Sequence, residues 1–400
     1  MLPRHRRVDV FTRRALISFA LLWLAGAGLR VTVLAVPPVI PLIHADLHLT
    51  ETQIGILTGL PSLLFALAAV PGSLAIARLG AVAALVIGLV IDGVGAGLRG
   101  AAPSTAWLYA ATIAMGAGIA IAQPALPLIV RAWLPGRIGL ATAVYSNGYV
   151  IGATLAVALS IPVVLPLVGS WRLGFVVWAV PVIASAFLIA VLAPRPAVPG
   201  DTAPRAATRW WPDWRSSLLW RLGLMFGSNN SIYFTTNAFL SEYLGSTGRS
   251  DLITPALTAL NIAQIPMSFL LIAAARRVEN RRWPHVASGL GVLAGILGIV
   301  FTGDAFIVAA AALVGFALTV TFVLTLALPA FLSAPGDIHR LSAGMFTISY
   351  STAVIVPTLS GLAWDLTGIP AAAFAPLAVC AIAIAALAPT LPIGRRKPDA

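Results

Sequence analysis

The stretch APRPAVPGDTAPRAATRWWPDWRSS, residues 193–217, decides how the rest of the chain is read. It is the longest polar interval in a sequence of 400 residues that is 59% hydrophobic and 10% charged, and it carries five prolines and four arginines. Each proline removes a backbone donor, so a continuous helix does not run through it. Continuous apolar runs lie on both sides, and a bilayer core of roughly 30 Å needs about 20 such residues per helix. Six runs precede it, near 15–42, 52–76, 81–98, 106–130, 138–166 and 172–193. Six follow, near 217–243, 252–275, 284–302, 305–331, 340–363 and 370–391. The chain therefore divides into an N-terminal half, 1–193, a linker, 194–216, and a C-terminal half, 217–400, with six predicted spans in each half.

A membrane β-barrel would show short alternating segments. These runs are unbroken and rich in Leu, Ala, Val and Gly, which predicts an all-α integral membrane protein. The basic start MLPRHRRVDVFTRR could imitate a secretory signal, but the run after it is about twice the usual apolar core and lacks a clear cleavage site. It is read as span 1. The formal net charge of +12 is topological. All Lys and Arg except Arg30, Arg99, Arg172 and Arg249 fall at the termini or in connections on the same side as the termini. This is the bias expected of cytoplasmic loops, so the sequence predicts a multi-pass protein of the plasma (inner) membrane with both ends in the cytoplasm. Nucleic acid is not an expected partner. The linker's Trp210, Trp211 and Trp214, with Trp220, suit the boundary between water and lipid.

A loose repeat supports the division. LPGRIGLATAVYSNGY, 134–149, returns as APGDIHRLSAGMFTISY, 334–350, each leading from the fourth span of its half into the fifth. Pro135-Gly136 corresponds to Pro335-Gly336 and, after a one-residue insertion, Tyr149 to Tyr350. Duplicated halves, twelve spans and a long central connection describe a secondary transporter with parallel halves. On these features the chain resembles the major facilitator superfamily. The resemblance implies that spans 1, 4, 7 and 10 line a central cavity, that 2, 5, 8 and 11 flank it, and that 3, 6, 9 and 12 lie outside.

Transport needs no covalent chemistry, so the informative residues are polar groups at membrane depth. A charged side chain at a helix centre costs roughly 2.5–3.5 kcal/mol on insertion scales. Arg30, in AGAGLRVTVLAVPPVIPLI (25–43), is the lone charge between Ala15 and Ile43 and lies about 22 Å along its span. It can snorkel outward, but the small residues before it favour close helix packing, and a guanidinium fork matches carboxylate-like groups. Arg30 is the expected contact for an anionic or electronegative solute. Pro37, Pro38 and Pro41 read as a mobile outer gate or as a plain helix end. In span 4, Gln123 precedes Pro124 and fits an inner gate or a ligand site. In span 7, Asn229, Asn230, Tyr233 and Asn237 share one helix face, as a solute-facing stripe or as interhelical hydrogen bonds. Tyr149 and Tyr350 lie near the midplane and could clamp a planar ligand or simply pack. Asn261 and Gln264 of span 8 are lesser candidates.

Acids bear on proton coupling. Asp92 in span 3, with Arg99 two turns further on the same face, reads as a structural ion pair or as a coupling group. His44 and His48 in HADLH are too few for a metal site, and no nucleotide-binding loop appears. The five histidines are scattered, so no enzyme active site is expected, and neither cofactor nor metal is implied. The lone cysteine, Cys380, excludes an intrachain disulfide.

Within the superfamily, GLRVTVLAVPPVIPLI, GAGLRGAAP and GAGIAIAQPALP, and more loosely FGSNNSIYFTTNAFLSEYL, are similar to the cyanate and 2-nitroimidazole porter branch. That implies transport of a small solute such as cyanate, nitrite or nitrate, a small carboxylate or a nitroimidazole, by a monomer in a lipid bilayer. Two departures matter. GSLAIARLG puts Ile76 where the superfamily's span 2–3 loop normally has Asp, and Thr112 stands where proton-coupled members have a span 4 Arg. The second departure disfavours drug/proton antiport. Efflux of metabolites or drugs by the same fold is the alternative, and a non-transporting membrane receptor is the alternative from another class.

Overall fold

A computed structural model describes residues 13–49, 51–194 and 209–393. The basic arm at 4–7, linker residues 195–208 and the RRK at 395–397 lie outside the described residues. The structure is all-helical, and the twelve predicted spans are found in order.

Span 1 runs as Arg13–Leu34, turns through Pro37–Val39 and continues as Ile40–Leu47. Spans 2, 3 and 6 are single helices, Glu51–Leu79, Ala81–Gly100 and Trp171–Leu192. Span 4 is broken into Thr105–Ala122 and Ala125–Trp133 at Gln123-Pro124, where Pro124 has no N–H to give. Span 5, Ile138–Leu159, widens into a π-helical turn at Ser160–Val164. Span 7 is Ser217–Ser246, and span 8 is split into Ile253–Ile262 and Gln264–Val278. Spans 9, 10, 11 and 12 are Trp283–Phe301, Asp304–Leu332, Ile338–Thr367 and Ala375–Leu387. Eleven of these segments are long and apolar enough to cross a membrane among the described residues. Span 7 is long enough, but its Asn, Ser and Thr side chains keep it out of that set.

The two copies of the repeat adopt the same local structure. Pro135–Arg137 and Pro335–Asp337 each form a 3-10 turn, and an α-helix starts at Ile138 and at Ile338. Equivalent pairs pack in each half, span 1 on span 5 and span 7 on span 11. The halves meet mainly through span 2 on span 11 and span 5 on span 8. Small residues set the first pair: a Cβ added at Gly26 would stand 2.1 Å from the Tyr145 carbonyl oxygen, and one at Gly148 would stand 2.4 Å from that of Trp23. No side chain fits either crossing.

Odd spans begin and even spans end on one face, which carries Arg78, Arg131, Arg137, Arg209, Arg276 and Arg340. We term it the basic face. On the opposite face, Asp46 of span 1's second segment pairs with Arg172 and accepts from Trp171 Nε1 at 3.0 Å, tying span 1 to span 6. Arg249 pairs with Asp304 at 2.9 Å. Each of these ion pairs stays within one half.

Candidate functional site

The close crossing of spans 1 and 5 places Tyr149, the residue after Gly148, beside Arg30. The Arg30 Cζ lies 5.2 Å from the Tyr149 ring centroid, a cation–π contact. Arg30 also donates from Nη2 to the Tyr350 hydroxyl at 3.4 Å, which brings span 11 of the other half to the same point. The break in span 4 turns Gln123 inward, and its Nε2 donates to the same Tyr350 hydroxyl at 3.2 Å. Phe65 of span 2 and Phe346 hold the Tyr350 ring at centroid distances of 5.0 and 6.2 Å. Four predicted residues from distant parts of the chain thus converge where the halves join.

Three properties define what this arrangement can do. Among the described residues no aspartate or glutamate pairs with Arg30, so its charge is unneutralised by protein. Its one hydrogen bond among the described residues is long, which leaves most of the guanidinium fork free of them. The Tyr149 hydroxyl is buried without a partner. Both tyrosines meet the guanidinium itself, Tyr149 by its ring and Tyr350 by its hydroxyl.

Span 7 divides its polar residues. Asn230 Nδ2 donates to Ser349 Oγ of span 11 at 2.8 Å. The Tyr233 hydroxyl donates to Asn261 Oδ1 of span 8 at 2.9 Å, and Asn261 Nδ2 donates to Asn237 Oδ1 at 2.9 Å. Asn237 Nδ2 returns to the Tyr233 carbonyl, and Gln264 Nε2 reaches Asn261 Oδ1 at 3.5 Å. Much of the stripe is therefore engaged in interhelical bonds within the C-terminal half. The Asn229 side-chain Oδ1 is buried without a partner. Asp92 and Arg99 are both buried and form no ion pair with each other.

Below Arg30, toward the basic face, the halves are bolted together by residues whose role the sequence did not reveal. Trp23 Nε1 donates to Asn147 Oδ1 at 2.8 Å, and Asn147 Nδ2 donates across to Ser268 Oγ at 2.9 Å. Arg131, at the end of span 4, donates from Nη1 to the carbonyls of Ala330 and Ser333 at 2.8 and 2.5 Å. Those are unsatisfied carbonyls at the C-terminus of span 10, where a cation is favoured. Glu279, after span 8, accepts from the Gly139 N–H at 2.9 Å in the first turn of span 5, where an anion is favoured. Burial pushes the Glu279 carboxyl above the ordinary glutamate range, against the opposing pulls of that N–H and of Arg276. A Cβ on Gly139 would stand 2.1 Å from Glu279 Oε2, so only glycine leaves room for this cap. Ser73 Oγ donates to the Trp210 carbonyl at 2.7 Å, in the region where Ile76, itself buried, replaces the usual Asp. On the basic face the halves are joined by caps on helix ends. A lone glutamate inside the basic run RRVENRR was the available signal.

Known proteins agree with this architecture. Residues 19–294 match the sequence profile of the Major Facilitator Superfamily. The chain is 28% identical over 305 residues to the uncharacterized transporter YycB of Bacillus subtilis, covering 76% of this chain and 73% of that protein. It is 25% identical over 358 residues to the 2-nitroimidazole transporter of Escherichia coli, covering 89% and 90%. It is also 25% identical over 347 residues to the cyanate transport protein CynX of Escherichia coli, covering 86% and 89%. The crystal structure of the transporter FucP in the outward conformation matches with a TM-score of 0.72 at 17% identity, over 94% of this chain and 99% of that one. The proton:xylose symporter XylE matches with a TM-score of 0.73 at 12% identity, over 94% and 95%. At these identities the structural matches establish the fold.

Proposed function

This chain belongs to the major facilitator superfamily, and on that premise we propose that it carries a small anionic or strongly electronegative solute by alternating access. It is a secondary transporter and a multi-pass membrane protein, not an enzyme. The observation that carries the proposed cargo is the Arg30 guanidinium, which stands at the joint of the halves without an acidic partner. A planar or linear acceptor such as cyanate, nitrate, a small carboxylate or a nitro group can take the free donors of the fork and the hydroxyl of Tyr149. Its arrival would replace the long Arg30–Tyr350 bond, and Gln123 and Tyr350 would then report its presence to both halves.

In this reading 1–193 and 217–400 rock about the site, joined by 194–216. The basic face, turned to the cytoplasm of a plasma membrane by its Arg content, is sealed by Arg131 and Glu279. Span 1's second segment, Ile40–Leu47, is set off by Pro37 and Pro38 as the part able to move over the site from the opposite face. Two relatives at 25% identity are named for 2-nitroimidazole and cyanate, solutes that share an electronegative end. In this reading Asn229 and Tyr233 add solute contacts from span 7, with Asn230 and Asn237 holding that span in place.

The test is flux through purified protein in liposomes, with cyanate, nitrate, acetate and 2-nitroimidazole as probes. Saturable flux of at least one of them, competed by the others, is expected. Flux of bulky hydrophobic cations in place of all four would overturn the proposed cargo.

A further inference from the structure

The N-terminal half holds a second buried charge cluster, apart from Arg30. Asp92 is the fully buried acid among the described residues. The side chains that bear on it are Thr32 of span 1 and Arg99 of its own span. No other titratable or charged group on spans 1, 2, 4 and 6, which pack against span 3, bears on it among the described residues. Both Asp92 carboxylate oxygens, the Thr32 hydroxyl, and Nε and Nη1 of Arg99 are buried without hydrogen-bond partners. Five orphaned polar atoms in one dry region are costly, because a buried carboxylate is tolerated only when neutral or paired.

Arg99 is meanwhile engaged elsewhere. Its Cζ lies 4.6 Å over the Phe175 ring, and Nη2 donates to the Thr32 carbonyl at 2.6 Å. That carbonyl is free because span 1's first helix stops there: Ala35 N–H bonds to Val31 and Val36 N–H to Val33, skipping Thr32. Arg99 thus caps the C-terminal end of the helix that carries Arg30, immediately before the turn at Pro37–Val39. Two groups compete for it: the Thr32 carbonyl, which it holds, and the Asp92 carboxylate, which it does not.

We propose that Asp92 is a protonation switch that sets the position of span 1's outer segment. With a proton on its carboxylate, Asp92 makes no claim on Arg99, which caps span 1 in the arrangement seen. When that proton leaves to bulk water, the carboxylate draws Arg99 off the Thr32 carbonyl. The end of span 1 is uncapped and Ile40–Leu47 is released to move toward the other half. No bond other than the O–H of Asp92 is made or broken, and Arg99 stays charged throughout. The device rests on the transporter fold and not on the identity of the solute.

The experiment uses the full chain in nanodiscs without any solute, so its failure is separate from failure of the proposed cargo. In a Cys380→Ser background, spin labels on Leu42→Cys and Ser246→Cys report the distance between span 1's outer segment and the end of span 7 by pulsed dipolar spectroscopy. The wild-type distance should shift across a pH series as a one-proton step. Asp92→Asn should hold the low-pH distance at every pH. Arg99→Gln, which lacks the cation for the cap, should give one distance independent of pH. Should Asp92→Asn not fold, Asp92→Ser replaces it in the same measurement. A pH-independent wild type, or an Asp92 variant that keeps the wild-type shift, would overturn the proposal.

Discussion

Arg131→Ala should open the basic face. In the closed arrangement the Arg131 guanidinium makes two charge-assisted bonds, to the carbonyls of Ala330 and Ser333. Hydrogen bonds to charged groups contribute about 1.5–3 kcal/mol each when buried. Arg131 is half-buried, and once the halves part water takes the carbonyls, so the pair together is counted as about 1.5–3 kcal/mol. At 1.4 kcal/mol per tenfold, the open population should rise roughly 10- to 150-fold. The reporter is Ala143→Cys in a Cys380→Ser background. Ala143 is buried where span 5 meets Leu271 of span 8 and Val323 of span 10, so it is reached only when those spans separate. Maleimide labelling from the basic face should accelerate by the same factor in Arg131→Ala. Arg131→Lys should fall between, since a point charge cannot bridge two carbonyls as a fork does. An unchanged labelling rate in a folded Arg131→Ala protein would refute the reasoning.

Gly139→Ala should act like Glu279→Ala in the same assay, because the new Cβ occupies the place of the Glu279 carboxylate, and both should speed labelling several-fold. Glu279→Gln should leave the rate near wild type, since an amide oxygen still accepts from the Gly139 N–H. The pH dependence has a definite sign: burial raises the Glu279 pKa in the closed state, so the closed state binds the proton more tightly than the open one. Labelling should therefore slow as pH falls through that raised pKa toward the ordinary glutamate value of about 4.3, and this component should vanish in Glu279→Gln. Gly148→Val forces a branched side chain into the 2.4 Å crossing with Trp23, and a loss of about 1–3 kcal/mol should appear as a lower melting temperature in detergent.

The helical count was legible because apolar run length and proline punctuation act locally. Span 7 shows the limit of hydropathy: its Asn230, Tyr233 and Asn237 are paired with spans 8 and 11, which no property of 217–246 itself reveals. For the site, Arg30, Gln123, Tyr149 and Tyr350 stood out as polar groups at membrane depth, and the structure brings all four together. Their meeting depends on Gly26 and Gly148 in two separated spans, so the geometry could not be read from either alone. Arg131 and Glu279 looked like loop charges because a cap on another helix's end leaves no periodic pattern. Asp92 and Arg99 had the spacing of an ion pair, but the interrupted end of span 1 offers Arg99 a carbonyl instead.

The central claim is that Arg30 meets the solute. Its most direct test is uptake of labelled cyanate and 2-nitroimidazole by proteoliposomes holding wild type, Arg30→Lys or Arg30→Gln, each first shown to fold by its melting temperature. Losing a charge-assisted contact of about 1.5–3 kcal/mol should reduce the affinity roughly 10- to 150-fold in Arg30→Gln. Arg30→Lys should recover only part of it, because a point charge lacks the planar fork. Wild-type flux and affinity in a folded Arg30→Gln protein would contradict the account.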